Sequence, residues 1–232
     1  MDYDEIIKQN IDKVRENIAA ACKRCSRESS EVTLIAVSKT KPVAMIQSAI
    51  NAGTFIFGEN RVQELTQKYE QIGSKAEWHM IGHLQTNKVK YIIDKAAFIH
   101  SLESYELASV IQKEAVKKNI KAKVLVEVNI AAEESKFGIA PEKTEEFVKY
   151  VSDNFDHIKV CGLMTVAPFT ENPESNRIYF RRLHDLLVDI NAKKYDNVNM
   201  DMLSMGMTGD YEIAVEEGAT HIRVGTGIFG VR

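Results

Sequence analysis

Four groups of residues in this chain have types and spacings that could do chemistry. In GTGIFG, Gly225, Gly227 and Gly230 have the G-x-G-x-x-G spacing that lets backbone N–H groups approach a phosphate. A dinucleotide fingerprint also needs a long helix, another strand and an acidic residue about 20 positions on. Only Val231 and Arg232 follow, so a glycine-rich turn for a single phosphate group is the expectation. Upstream, SMGMTGD places Ser204, Gly206, Thr208 and Gly209 between an apolar run and a helix expected to begin near Asp210. Lys39 closes the apolar run VTLIAVSK. Burial there would penalise the ammonium form and free an amine for Schiff-base chemistry, the alternative being a lysine that snorkels to water. Lys41 is left in a turn by Pro42. Arg223 stands two positions before Gly225, on the same side of a strand, where a guanidinium could clamp an anion or donate to a ring nitrogen.

Other spacings carry less. His79 and His83 are four apart, but EWHMIGH reads as a strand plus a glycine turn and lacks the glutamate of a zinc helix, so no metal site is expected. Cys22 and Cys25 of CKRC come late in a helical pattern that starts near Tyr3, away from the strand-to-helix turn of a redox pair, and read as ordinary thiols. His100, His157, His184 and His221 are scattered.

Something must bring these groups together. β-branched or apolar runs begin at Val32, Thr54, Glu77, Ala96, Ala122, Ile158, Val198 and Thr220, and amphipathic segments such as KPVAMIQSAINAG, ENRVQELTQKYEQI, SYELASVIQKEAVKKN and PEKTEEFVKYVSDN separate them. Strict alternation predicts a parallel sheet. About eight repeats in 232 residues predict an α/β fold, a single (β/α)8 TIM barrel over residues 1–232 preceded by an N-terminal helix, with an open doubly wound sheet as the alternative. In a barrel the strand ends Lys39, Asn60, His83, Ser101, Asn129, Thr165, Ser204 and Gly225 meet at one face. Closure makes the first strand a neighbour of the last, so Lys39 would face a ligand whose phosphate sits on the seventh and eighth loops.

Composition narrows the partners. Thirty basic and 33 acidic residues leave a net charge of −3, too balanced for nucleic-acid binding to be expected. No stretch approaches the ~18 apolar residues of a spanning helix, and the acidic start MDYDEIIKQN is unlike a secretory signal. Three cysteines suit a reducing compartment, so a cytoplasmic chain is expected, and separately a monomer.

Taken in order, AVSKTKP, FGENRVQE, EWHMIGHLQTNK, SLES, VNIAAEESKFGI, GLMTV and LSMGMTGDYEIAVEEGATHIRVGTGIFG resemble the pyridoxal phosphate homeostasis proteins, also called the proline synthetase co-transcribed family. The resemblance runs from about Ile18 to Arg232. It implies a barrel like the N-terminal domain of alanine racemase, with pyridoxal 5′-phosphate (PLP) held as a lysine aldimine on Lys39 rather than Lys41. It also implies a phosphate side of Ser204, Gly206, Arg223, Gly225 and Thr226, with Asn60 of FGEN at the pocket. In the similar racemase domain an arginine of the last strand faces the ring nitrogen, so whether Arg223 meets phosphate or ring stays open. Thr208 stands where a serine is often found and keeps the hydroxyl.

The family is not credited with a settled reaction. PLP stabilises a carbanion best with a protonated ring nitrogen, which an arginine does not supply. Racemisation also needs an opposite-face base, carried in alanine racemase by a partner subunit with an extra β domain that this chain is not expected to contain. A PLP carrier or buffer in vitamin B6 and amino-acid homeostasis, serving apo PLP enzymes, is therefore the expected function. The alternatives are a weak amino-acid racemase-like enzyme and a class I Schiff-base aldolase.

Overall fold

The computed structural model describes residues 3–133 and 136–230, which leaves Glu134 and Ser135 of the VNIAAEESKFGI segment, and Val231 and Arg232, outside the described residues. Eight strands close into a barrel in the order β1 to β8: Thr33–Val37, Ile56–Glu59, Glu77–Met80, Ala96–Leu102, Ala122–Glu127, Ile158–Met164, Val198–Met207 and His221–Val224. Neighbouring strands are parallel throughout. The helices are α1 (Tyr3–Arg24), α2 (Val43–Asn51), α3 (Val62–Ile72), α4 (Val89–Ile92), α5 (Tyr105–Lys118), α6 (Pro141–Asn154), α7 (Arg177–Ala192), α8 (Tyr211–Glu216) and α9 (Thr226–Phe229). The TIM barrel with its leading helix is therefore the observed architecture, and the open sheet is not.

The seam is the pairing of β1 with β8, in register Thr33 with His221 and Ile35 with Arg223. It is covered by α1, whose Ile7, Ile11, Val14 and Ile18 recur at helical spacing and bury one stripe against α2, α8 and α9. Asn10 Nδ2 donates to the Ile228 carbonyl at 2.9 Å, and Asn17 Nδ2 to the Tyr211 hydroxyl at 2.9 Å, which fixes that helix over the last two βα units. Cys22 is buried at the end of α1, and burial holds its thiol above the ordinary value, as suits a packing residue.

Period-two alternation sorts the strands into two faces. Val124 and Val126 of β5, like Ile222 and Val224 of β8, join the large cluster between barrel and helices. Leu125, Cys161, Met164 and Met202 form a separate interior cluster with Phe98. Alternation puts Arg223 and His221 on the interior side too, so the barrel axis is partly polar. Among the described residues no helix is long and apolar enough to cross a membrane, and no group of His, Cys, Asp and Glu is set to hold a metal.

Gly162 of β6 marks a register shift against β7, and a Cβ there would lie 1.7 Å from the Met202 carbonyl oxygen. No side-chain rotation relieves a clash with backbone. Gly162→Ala should lower the unfolding free energy in urea by at least about 2 kcal/mol. Parent-like stability would show that β6 and β7 separate there more readily than this packing allows.

Candidate functional site

A cavity of about 310 Å³ opens among the carboxyl ends of the strands. Its wall includes Lys39, Asn60, Arg223, Gly225 and Thr226, joined by Thr208, Gly209 and the apolar Val37, Ile81 and Val166. Five of the seven residues singled out from the sequence meet here. Ser204 and Gly206 are not in the lining. Ser204 is fully buried, one step further into the barrel. Gly206, at φ +87°, lets α8 dock on β7, since a Cβ would lie 2.5 Å from that of Ala214.

Lys39 is exposed, where the apolar run before it suggests burial. The strand ends at Val37, Ser38 is the last buried residue, and Lys39 already lies in the turn that follows. Lys41 is occupied elsewhere. Its Nζ donates to the carbonyls of Phe229 at 3.2 Å and Gly230 at 2.9 Å, at the end of α9. Of the two lysines of SKTK, Lys39 is the one in the cavity wall.

Arg223 is held from below. Its Nη1 donates to Ser204 Oγ at 2.6 Å and its Nη2 to the Thr165 carbonyl at 2.7 Å. Ser204 Oγ lies 3.0 Å from His100 Nδ1, His100 Nε2 lies 2.9 Å from His79 Nδ1, and His79 Nε2 lies 2.8 Å from Glu77 Oε1. Because a guanidinium only donates, Ser204 Oγ accepts from Arg223, and its own proton is free to go to His100. With the serine proton so placed, the matching arrangement has His100 donating from Nε2 to His79 and His79 from Nε2 to Glu77. Burial is the main cause holding His100 well below its ordinary value, with His79 and Arg223 adding to it. Burial and His79 likewise take His221 down to about 4. Both rings are neutral at pH 7, whereas Arg223, lowered to about 10 by burial, stays charged.

The glycine turn faces this guanidinium. Gly225 N–H and Gly227 N–H both lie 3.3 Å from Thr208 Oγ1, so the turn converges two donors on one oxygen. A Cβ at position 227 would press on Val224 at 3.0 Å and Thr208 at 3.2 Å, which keeps the residue glycine. On the other side Asn60 Oδ1 is buried without a hydrogen-bond partner among the described residues. An acceptor of this kind is normally satisfied.

One titratable group at the mouth has no counterpart in the sequence reading. Glu127, at the end of β5, lines a smaller cavity of about 190 Å³ with Asn129, Lys136 and Phe137, and Val166 is a wall common to both cavities. Burial, then the Glu103 carboxylate, raises it to about 7 against the pull of Arg223. The signal for it is the lone acid inside AKVLVEVN. Two wider clefts, of about 540 and 750 Å³, open at the other end of the barrel, where Thr33, Ile56, Glu77 and Ala122 begin their strands. Size alone would favour them, but neither gathers the glycine turn or the Arg223 guanidinium, and barrel chemistry sits at the carboxyl ends.

The model of the alanine racemase N-terminal domain matches residues 9–232. A protein of Aquifex aeolicus (strain VF5) named pyridoxal phosphate homeostasis protein is 46% identical over 225 residues, covering 97% of each chain. The chain belongs to the pyridoxal phosphate homeostasis protein family. Among solved structures, an unknown protein from Bifidobacterium adolescentis superposes with a TM-score of 0.92 at 34% identity, covering 98% of this chain and 96% of its own. PipY of Synechococcus elongatus PCC7942, solved with PLP bound, gives a TM-score of 0.83 at 30% identity, covering 97% and 100%. Pyridoxal phosphate homeostasis proteins thus share this barrel over nearly the full length of the present chain.

Two outcomes follow for the polar interior. Ser204→Ala leaves Arg223 Nη1 and His100 Nδ1 unpaired in a buried setting and should lower unfolding free energy by about 1–3 kcal/mol. Glu127 binds its proton up to about pH 7 when folded but only to 4.5 when unfolded. The folded state therefore holds the extra proton, and stability falls as pH rises through that window and levels off above it. Comparing urea unfolding of the parent and Glu127→Gln from pH 4.5 to 7 should reveal a difference that grows by about 3 kcal/mol. Parallel curves would contradict the assignment.

Proposed function

We propose that this chain binds PLP in the mouth cavity, holds it covalently through Lys39, and takes part in intracellular PLP and amino-acid homeostasis by releasing the cofactor to apo PLP enzymes. The observation that carries this reading is the meeting of one lysine amine, one buried guanidinium and a donor-rich glycine turn in a single cavity of about 310 Å³. Arg223 is cationic where the ligand is a phosphate ester, and Asn60 Oδ1 is an acceptor buried at the same cavity. The two converging N–H groups of Gly225 and Gly227 suit a phosphate oxygen as they suit the Thr208 hydroxyl. PLP supplies an aldehyde, with which an uncharged amine condenses to a C=N bond with loss of one water.

The chain's own residues then divide the work. Lys39, exposed at the mouth, offers its amine where other amines can also reach it, which favours exchange over retention. Arg223 gives charge and direction but no transferable proton. Gly225 and Thr226 border the phosphate end, and Ser204 acts through Arg223 without touching the ligand. The barrel works as one unit and needs no second copy for these contacts. Glu127 favours a second reading, a slow racemase-like reaction of amino acids, because a carboxyl near 7 stands beside the cavity.

Borohydride reduction of the PLP-loaded protein, followed by peptide mapping, should place the pyridoxyl group on Lys39. Recovery mainly on Lys41 or Lys136 would overturn the assignment. Mixing the loaded protein with an apo PLP enzyme should restore that enzyme's activity, and a trap for free PLP distinguishes direct handover from release. An amino acid turned over at about 1 per second or faster, with loss in Lys39→Ala and Glu127→Gln, would replace the carrier reading by the enzymatic one.

A further inference from the structure

Lys39 is exposed, yet the residues on either side of it are tied down by groups outside the cavity wall. Ser38 is fully buried; its hydroxyl donates to Glu59 Oε1 at 2.6 Å, and its carbonyl accepts from Lys68 Nζ at 2.8 Å. Thr40 N–H donates to Glu64 Oε2 at 2.6 Å. Lys68 Nζ joins the two sides, 2.7 Å from Glu59 Oε1 and 3.4 Å from Glu64 Oε2. One lysine and two glutamates therefore grip the backbone before and after Lys39.

This grip is not what stability alone would select. A buried ion pair is weak evidence of stabilisation, because desolvation offsets the Coulomb gain. Here Lys68 is only 6% exposed and Glu59 fully buried. Burial pushes the Glu59 carboxyl above its ordinary value, and Glu59 Oε2 has no partner among the described residues. The turn it holds is itself strained. Lys41 N–H closes it on the Ser38 carbonyl at 3.0 Å, and Thr40, third of the four residues, has φ +64°. Glycine or asparagine ordinarily takes that position, and a β-branched residue is an outlier there. Strain kept by a costly buried network points to a functional constraint on the residue in between.

We propose that Glu59, Glu64 and Lys68 are positioning residues that hold the Ser38–Lys41 turn in its left-handed form and thereby aim Lys39 into the mouth cavity. The inference rests on the reading of Lys39 as the residue that bonds PLP. A long lysine chain free to wander meets an aldehyde held by the phosphate turn less often than one whose Cα is fixed, so the grip acts on formation of the C=N bond and leaves the phosphate contacts alone.

The test compares PLP with pyridoxine 5′-phosphate, which has the same ring and phosphate but an alcohol in place of the aldehyde. Glu64 is the position to vary, being part-exposed at the rim, and Glu64→Gln keeps an oxygen for the Thr40 amide while Glu64→Ala removes it. Glu64→Ala should bind PLP at least about fivefold more weakly and pyridoxine 5′-phosphate within about twofold of the parent, and Glu64→Gln should match the parent for both. Hydrogen exchange gives a readout without ligand: the Thr40 amide should be protected in the parent and Glu64→Gln and should exchange at least tenfold faster in Glu64→Ala. Equal weakening of both ligands, or unchanged PLP binding with a deprotected Thr40 amide, would overturn the proposal. A parent protein that yields no pyridoxyl-Lys39 on reduction would instead overturn the reading of Lys39, and the inference with it.

Discussion

The pairing of β1 with β8 is the interaction on which the site depends. Ile35 opposite Arg223 brings the first strand of the chain against the last, and with them the Lys39 turn against the Gly225–Gly227 turn. In an open doubly wound sheet the first and last strands would not pair. The seam is also where the leading helix lies, its Asn10 side chain bonded to the Ile228 carbonyl just beyond the glycine turn. A helix that lies outside the eight-fold repeat thus covers the place where closure has to hold.

Closure creates a second constraint, because Arg223 enters the barrel with a charge. The interior answers with a chain of groups whose donors and acceptors match from end to end: Ser204, His100, His79 and the half-exposed Glu77. Each member finds its partner in the next, so the set supports one guanidinium. Apolar residues of similar volume would pack as well. They would leave Arg223 without a floor, and the cavity would lose its fixed cation. The same economy shows around Lys39, where buried groups on β2 and α3 hold a strained turn.

Alternation of short apolar runs with amphipathic segments was enough to give the strand order, the number of repeats and the face on which Lys39, Asn60, Arg223, Gly225 and Thr226 meet. These properties follow from period and spacing, which are local. What was not legible was depth. Lys39 follows an apolar run, which predicts burial, but the strand ends two residues earlier and the lysine is carried out by the turn. Ser204 ends its segment in a polar group like any loop ligand, yet a register shift between β7 and β8 sets it beneath Arg223 rather than in the wall. Gly206 reads as a phosphate-loop glycine and serves helix packing. His100 reads as scattered, and His79 only as half of a rejected zinc spacing, because β3 and β4 also shift register, which hides their contact. Glu59 and Lys68 pair across a strand and a helix, a relation that no periodicity encodes.

The proposed site for PLP is the mouth cavity, on Lys39, and not the wider cleft at the other end of the barrel, where Lys75, Lys95, Lys121 and Lys123 also offer amines. A crystal structure of the protein soaked in PLP tests it directly. Continuous density from Lys39 Nζ to the ligand is expected, with the phosphate against Gly225 and Thr226. Density on any of the four lysines of the opposite cleft, with the mouth cavity holding only solvent, would contradict it.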